Sequence, residues 1–155
     1  MKTTYFVDNS TLLQAPSFVS TIVGDYDGFD YENLYEFIDG TMWLQTELYR
    51  KYDYAFRPTV AVYYMNAYYM NVEGIDRAVR VANVPYLRSY ITSSFDGFSY
   101  GNVYVLANGQ IWQQSEFRNW YHYAVHPDAV IYEYLGAYYL KVEGIDEAVR
   151  VIRNQ

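Results

Sequence analysis

The feature that most constrains this chain is a stretch of sequence that occurs twice. Residues 67–81 read AYYMNVEGIDRAVRV, and residues 137–151 read AYYLKVEGIDEAVRV. Within this stretch the copies differ only at three pairs of positions: Met70/Leu140, Asn71/Lys141 and Arg77/Glu147. So close a match indicates an internal duplication, and both copies are expected to adopt the same fold.

The duplication extends backwards through most of the chain. Pro16 matches Pro85, and Asp27-Gly28-Phe29 matches Asp96-Gly97-Phe98. Further matched pairs are Tyr35/Tyr104, Trp43/Trp112, Gln45/Gln114 and Glu47/Glu116. The second copy has one extra residue near Leu135-Gly136, which is expected to lengthen a turn. The sequence therefore predicts an N-terminal strand segment at 1–15, a first repeat at 16–84 and a second repeat at 85–155.

Short apolar and aromatic runs between turn signals predict that both repeats are all-β. Residues 34–38 end at Asp39-Gly40, and the matching run ends at Asn108-Gly109, which predicts equivalent hairpins with both glycines at positive φ. Further strands are predicted at 42–49, 60–65, 68–72 and 78–81, and the acidic segment 25–32 is interpreted as a turn. About five short strands per repeat predict a small SH3-like β-barrel in each.

Each repeat is also close to the size at which a private core becomes marginal. The two barrels are therefore expected to pack against each other and to leave a groove at their junction. Residues 5–7 and Leu12-Leu13 are predicted as strand pieces, and the latter align with the end of a repeat, which makes strand sharing an alternative.

Composition narrows the classes of function. The net charge of −7 argues against a nucleic-acid binder that neutralises phosphates with Lys and Arg. There is no cysteine, so thiolate chemistry and disulfides are excluded. The first residues, MKTTYFVDNS, lack the apolar run of a signal peptide, and no stretch approaches a membrane span. The expectation is a soluble cytoplasmic protein.

Aromatic residues are the strongest functional indication, since the chain has 21 Tyr, 8 Phe and 3 Trp. Tyrosine offers a large flat face with one polar tip, which suits an adhesive surface. The predicted binding surface comprises Trp43, Tyr49, Tyr52, Tyr54, Trp112, Trp120, Tyr121 and Tyr123, with Phe56 beside them. Glu47 and Glu116 are candidate polar partners on this surface. The alternatives are that the rings fill the cores and the junction, and that both carboxylates pair with Arg or Tyr.

Two other clusters do not fit metal sites. Asp25, Asp27, Asp30 and Glu32 lack the spacing of a calcium loop, and the second copy repeats only Asp27, as Asp96. His122 and His126 lie on an extended segment, and their counterparts are Asp53 and Arg57. We therefore expect no metal and no cofactor.

Three strings carry a resemblance to a known module: NGQIWQQ, WYHYAVHP and YYLKVEGIDEAVRV. They resemble a small repeated β module of bacterial proteins with the pattern NGQ-x-WQQ, YHYAYRP and K-V-x-G. The resemblance covers nearly all of both copies, and the first copy departs from it at Asp39, Thr41, Met42 and Leu44. It implies a tandem β architecture and supplies no catalytic residues.

The leading hypothesis is a non-catalytic tandem interaction module that binds a protein partner through aromatic surfaces, with a homo-oligomer as a further arrangement. A second hypothesis is an acidic inhibitor or decoy that blocks a basic site on its target. A third is a small-ligand binder or an enzyme with a site in the inter-repeat groove. No Gly-rich phosphate loop and no Ser-His-Asp pattern supports the third.

Overall fold

The computed structural model describes residues 7–8 and 15–154 of the chain. The chain divides into two compact units, Met1–Val84 and Pro85–Gln155. All regular elements of the described residues are β-strands, so the prediction of an all-β protein is confirmed.

The strands of the two units correspond one to one, apart from an additional strand at the N-terminus. The first unit contains β1 (Val7–Asp8), β2 (Phe18–Thr21), β3 (Asp25–Phe29), β4 (Leu34–Glu36), β5 (Met42–Gln45), β6 (Lys51–Phe56), β7 (Thr59–Tyr64), β8 (Tyr68–Val72) and β9 (Arg77–Asn83). The second contains β10 (Tyr86–Tyr90), β11 (Ser94–Phe98), β12 (Val103–Val105), β13 (Ile111–Gln114), β14 (Trp120–Val125), β15 (Asp128–Tyr134), β16 (Ala137–Val142) and β17 (Val149–Arg153).

Six strands of each unit form one curled antiparallel sheet. The order is β2-β7-β8-β9-β5-β4 in the first unit and β10-β15-β16-β17-β13-β12 in the second. A bridge between Ile22 and Phe37 joins the two ends of the first sheet, and Ile91 and Leu106 do the same in the second. Each sheet is thereby closed into a barrel-like unit. In the first unit β1 adds to the sheet by pairing with β9. Strands β3 and β6, like β11 and β14, form a separate two-stranded ribbon in their unit.

The core of each unit lies inside its curled sheet. Alternate residues of the strands point inwards, for example Val60 and Val62 on β7, and both are almost fully buried. Aromatic rings fill the remaining space. Phe29 and Phe37 are fully buried in the first unit, and Phe95 and Phe98 occupy the second core.

Several details differ from the sequence prediction. The duplicated part of each unit has eight strands rather than about five, because β2, β3 and β6 add to the five predicted strands. The acidic segment interpreted as a turn contains β3. The strand predicted at 42–49 ends at Gln45, so Glu47 and Tyr49 lie in the following loop. Of the strand piece predicted at 5–7, only Val7 is described; it lies in β1, which pairs with β9 through Val7 and Ala78. Leu12-Leu13 lie outside the described residues. The SH3-like assignment stays a prediction.

The extra residue of the second copy lengthens a hairpin rather than its turn. In the first unit the last pair is Tyr64 with Tyr68, around a three-residue loop. In the second unit the pairing continues by one further pair, Tyr134 with Ala137. Only Leu135 and Gly136 remain in this turn, with φ of 52° and 81°. Positive φ at both residues is the conformation of a tight type I′ turn, whose twist suits a hairpin.

The ribbon contains a bulge that only glycine permits. Gly28 and Gly97 both have φ of 116°, and the register of the ribbon shifts beside each of them. A Cβ atom on Gly28 would lie 2.1 Å from the carbonyl oxygen of Lys51, and one on Gly97 would lie 1.9 Å from that of Trp120. The Asp-Gly-Phe motif is therefore a bulged strand in which two backbones approach closely.

A buried glutamine joins the ribbon to the barrel in the first unit. Gln45 is fully buried. Its Oε1 accepts hydrogen bonds from the backbone N–H of Asp30 at 3.0 Å and the hydroxyl of Tyr35 at 2.9 Å. Its Nε2 donates to the carbonyls of Glu47 and Tyr49 at 2.9 and 2.8 Å. One side chain thus satisfies groups from the end of the ribbon, from β4 and from the loop after β5.

The second unit repeats this network. Gln114 Oε1 accepts from the backbone N–H of Ser99 and from the Tyr104 hydroxyl, both at 2.9 Å. Its Nε2 donates to the carbonyls of Glu116 and Arg118, both at 2.9 Å. Burial raises the pKa of Tyr104, as it does for Tyr35 in the first unit, so the phenols stay protonated and donate to the glutamine.

Gly97→Ala is expected to destabilise the protein by several kcal/mol, because the new Cβ would overlap the Trp120 carbonyl and the backbone of the ribbon would have to move. Gly109→Ala is the matched control. Gly109 has φ of 91°, which confirms the predicted hairpin geometry, and no atom lies within 4 Å of its added Cβ. This control is expected to cost only about 1 kcal/mol. Urea unfolding checks both, and equal midpoints for the two variants would contradict the close approach.

Gln114→Leu is expected to destabilise the protein by about 3 kcal/mol or more, since it leaves several buried polar groups without their partner at about 1–3 kcal/mol each. Gln113→Leu is the control, because the first copy already carries Leu44 at this position. Gln113 donates a single hydrogen bond, to the Gly101 carbonyl. Its replacement is expected to cost less than about 1 kcal/mol. If denaturant unfolding gave the same loss for both glutamines, the network would not have the structural role assigned to it.

Candidate functional site

Exposed aromatic side chains form a row on each ribbon. In the first unit, alternate residues of β6 point outwards: Tyr52, Tyr54 and Phe56. In the second unit the equivalent residues of β14 are Tyr121, Tyr123 and Val125. We call these two sets the aromatic rows. Tyr52 is 80% exposed and Tyr121 is 81% exposed, so the ends of the rows lie almost fully in solvent.

The rows are exposed because the opposite face of each strand is used for packing. Asp53 and Ala55 on β6, like His122 and Ala124 on β14, are half-buried. A strand places successive side chains on opposite faces, so the residues between them must point outwards. β6 therefore presents Tyr52, Tyr54 and Phe56 to solvent, and Asp53 and Ala55 to the unit.

Carboxylates lie beside the first row. Asp25 and Asp27 on β3 are exposed, and Asp25 Oδ1 accepts a hydrogen bond of 2.8 Å from the Tyr54 hydroxyl. This hydrogen bond raises the pKa of Tyr54, with a smaller contribution from the negative charges of Asp25 and Asp27. In the second unit Ser94 replaces Asp25, and Asp96 retains the carboxylate of Asp27.

Two of the predicted binding residues, Trp43 and Trp112, lie in the cores. Each is only 3% exposed. Trp43 stacks on Phe37 with ring centroids 5.7 Å apart, and its indole N–H donates to Thr41 Oγ1 at 2.8 Å. The Trp112 indole donates to Gln110 Oε1 at 3.1 Å. Placing these two rings on the binding surface was wrong, because alternation along a strand does not show which face is buried.

Tyr49 is not part of a row: its half-buried ring packs against the core beside Phe29 and is covered by a cation. The Arg77 guanidinium lies over the Tyr49 ring, 3.5 Å from its centroid. The same guanidinium pairs with Glu47 at 2.5 Å, and Glu47 Oε1 accepts a hydrogen bond from the backbone N–H of Arg80 at 2.7 Å. Glu47 thus joins the loop after β5 to β9. This favours the structural alternative for Glu47 over the role of a surface polar partner.

In the second unit Glu116 is the counterpart of Glu47, but the residues around it are different. Glu116 Oε1 accepts from the backbone N–H of Arg150 at 2.5 Å, as Glu47 does from Arg80. Arg118 takes the place of Tyr49, and Glu147 takes the place of Arg77. Arg118 forms an ion pair with Glu147 and approaches Glu116 at 3.7 Å. The arginine therefore lies on β9 in the first unit and in the loop after β13 in the second. The ion pair between these two parts of the unit is kept, with the two charges exchanged.

The remaining predicted aromatic residue, Trp120, is 54% exposed at the start of β14, where the first unit has Lys51. Near this end of the second ribbon is an exposed pair that sequence reasoning missed. Tyr100 stacks on Phe117 with ring centroids 4.2 Å apart. The two residues lie in different loops and are far apart in sequence, so no local pattern indicated their contact.

Comparison of the chain with known protein families, with curated proteins and with solved structures found no match. The resemblance to a repeated bacterial module stays a prediction. The described residues contain no helix with the length and apolarity needed to cross a bilayer. Within the same residues, His, Asp and Glu side chains do not gather in threes or more in a way that would hold a metal ion.

The exchange of partners around Glu116 predicts a measurable coupling. Glu147→Arg alone is expected to destabilise the protein by about 1 kcal/mol, because an ion pair is lost and two arginines face each other. Adding Arg118→Tyr restores the first unit's arrangement, with an arginine stacked on a tyrosine and paired with a glutamate. The double variant is expected to recover at least the lost stability, with a coupling energy of about 1 kcal/mol. Urea unfolding of both single variants and the double variant measures it, and additive effects would contradict it.

Proposed function

We propose that this protein is a non-catalytic tandem interaction module that binds a protein partner through its aromatic rows. The observation that carries the proposal is the presence of the same exposed row on the same strand of both units. Large apolar side chains grouped on a surface mark interaction sites more often than scattered single ones do. Tyrosine and tryptophan are also enriched where proteins bind each other.

The rows suit an extended partner segment. Within the described residues, β6 pairs only with β3, and β14 pairs only with β11. A partner strand laid along the free side of β6 or β14 would gain main-chain hydrogen bonds, while alternate side chains would contact the rings of the row. The Gly28 and Gly97 bulges hold the ribbons in a fixed twist, so this surface needs little ordering on binding.

The acidic residues beside the aromatic rows favour a basic partner. The net charge is −7, and Asp25 and Asp27 lie on the exposed side of the first ribbon, as Asp96 does on the second. A partner segment that carries Arg or Lys between apolar residues would pair with these carboxylates. Arginine would in addition stack on the tyrosine rings, as Arg77 does on Tyr49 inside this chain. The acidic decoy is the second candidate function, and the same carboxylates favour it.

The test is selection of a random peptide library on the intact chain, followed by affinity measurement of the enriched peptides. Enrichment of peptides with alternating apolar and basic residues is expected. Tyr121→Ser/Tyr123→Ser and Tyr52→Ser/Tyr54→Ser are each expected to weaken binding at least tenfold, since central aromatic residues dominate interface energies. The exposed apolar residues Val19 and Val105, which lie on the curled sheets, supply the controls Val19→Ser and Val105→Ser. Unchanged affinity in both tyrosine double variants would reject the aromatic rows.

Salt separates the two candidate functions. Contacts made by the aromatic rows are expected to keep most of their affinity between about 0.05 and about 0.5 M salt, whereas binding by exposed carboxylates is expected to collapse. A steep loss of affinity together with full tolerance of the tyrosine substitutions would support the decoy and contradict the proposed module.

A further inference from the structure

The open end of the second barrel contains a pocket that is independent of the aromatic rows. Its volume is 330 Å³. Its lining is mostly aromatic and aliphatic, with two charged side chains, and comprises Pro85, Tyr86, Leu87, Gln110, Trp112, Ile131, Tyr132, Glu133, Tyr138 and Arg153. Barrel mouths with apolar walls and a few polar groups are common ligand sites.

Strand register shows why two opposite charges reach this mouth. Glu133 pairs directly with Tyr138 across β15 and β16, and Arg153 pairs with Trp112 across β17 and β13. Residues paired in this way place their side chains on the same face of a sheet. Because Trp112 belongs to the core cluster, this is the inner face, and Glu133 and Arg153 lie where it reaches the end of the barrel. Across residues 15–154, we find no hydrogen bond or ion pair that engages either charged group.

The first unit shows what the same positions hold when the mouth carries no charge. There the counterparts of Leu87, Glu133 and Arg153 are Phe18, Tyr64 and Asn83. Phe18 packs on Trp43 with centroids 5.7 Å apart. Tyr68 then contacts Trp43 at 5.3 Å and Tyr64 at 5.0 Å. A chain of four rings thus occupies this end of the first barrel.

The second unit keeps the middle of this chain and loses both ends. Trp112 and Tyr138 retain their contact, with centroids 5.2 Å apart. Leu87 replaces one terminal ring, and Glu133 replaces the other. The second unit thus lacks two of the rings that pack against each other in the first unit. A ligand with an aromatic ring fits the remaining pocket walls best, because its ring would restore the contacts that the first unit makes with its own side chains.

From these observations we infer that the mouth of the second barrel binds a free aromatic amino acid. The ring enters between Leu87, Trp112 and Tyr138. The α-carboxylate pairs with Arg153, and the α-ammonium pairs with Glu133. Opposite charges at one mouth match the two charges of an amino acid, and a carboxylate–guanidinium pair is among the stronger polar contacts in proteins. The inference does not depend on the proposed protein partner.

The test uses the intact chain with L-phenylalanine, L-tyrosine and L-tryptophan as probes in isothermal titration calorimetry. At least one is expected to bind with a dissociation constant below about 1 mM. L-leucine, which lacks the ring, is expected to bind at least tenfold more weakly. Absence of heat from all three aromatic probes up to about 10 mM, or equal affinity for leucine, would overturn the inference.

Two of the variants transfer residues that the first unit already carries at the matching positions of the same fold. Leu87→Phe, which introduces the ring that Phe18 supplies in the first unit, fills the pocket and is expected to abolish binding. Arg153→Asn is expected to weaken the free amino acid about tenfold and to leave its amide, which has no carboxylate, unaffected. Glu133→Gln removes the charge and keeps the side-chain size, whereas the first unit's tyrosine would add a ring to the pocket. Glu133→Gln is expected to weaken the free amino acid and to leave the N-acetyl form, which has no ammonium, unaffected. Thermal unfolding confirms that each variant is folded.

The N-acetyl amino acid and the amino acid amide also show whether the pocket binds a free amino acid or the end of a peptide. The N-acetyl amino acid mimics the last residue of a peptide, and the amide mimics the first. Both are expected to bind about tenfold more weakly than the free amino acid, because each loses one of two charged contacts. If either capped form bound as tightly as the free amino acid, or if Leu87→Phe left binding unchanged, the assignment to a free amino acid in this pocket would be wrong.

Discussion

The two buried glutamines are the interactions on which the arrangement of each unit depends. A ribbon of two strands is marginal in isolation. Gln45 and Gln114 supply the polar connection to the barrel, since each accepts from the end of the ribbon and donates to the loop after the fifth strand. A fully buried amide without partners would be costly, so the ribbon, the tyrosine and the loop must take up one relative arrangement. That arrangement fixes where β6 and β14 lie, and therefore where the aromatic rows are presented.

The three differences in the duplicated stretch each have a local physical account. Met70 and Leu140 are both fully buried, and exchanging them conserves core volume. Asn71 and Lys141 reach the same acceptor, since their side chains donate to the carbonyls of Ile75 and Ile145. Arg77 and Glu147 have opposite charges, and the change from Tyr49 to Arg118 provides each with a partner. The two copies therefore conserve interactions at these positions rather than residues.

Strands with a local signature were predictable from the sequence, and features set by distant contacts were not. Asp-Gly and Asn-Gly located the hairpins, because a left-handed turn residue is a local requirement. The Asp27-Gly28 and Asp96-Gly97 pairs carry the same signature but form a bulge inside a strand, so β3 was mistaken for a turn. The sequence also did not show which aromatic rings are exposed and which are buried. Tyr52 and Trp43 both lie on strands whose side chains alternate between two faces, and only the closed sheet determines that Tyr52 is exposed and Trp43 is buried. The pocket in the second unit involves residues from five separated segments, which no sequence window contains.

The duplication separates what the scaffold requires from what each unit can vary. The glycine bulge, the tyrosine–glutamine network and the buried indole recur at equivalent positions of both units, so these features fix the backbone. Residues that differ at the barrel mouth and around the loop after the fifth strand change the local chemistry while the order of the strands stays the same. Phe18 closes the first unit's aromatic chain, whereas Leu87, Glu133 and Arg153 leave the second with a cavity and two charges. The same fold therefore presents an aromatic row in both units. A few side-chain differences are enough to make the two barrel mouths chemically different.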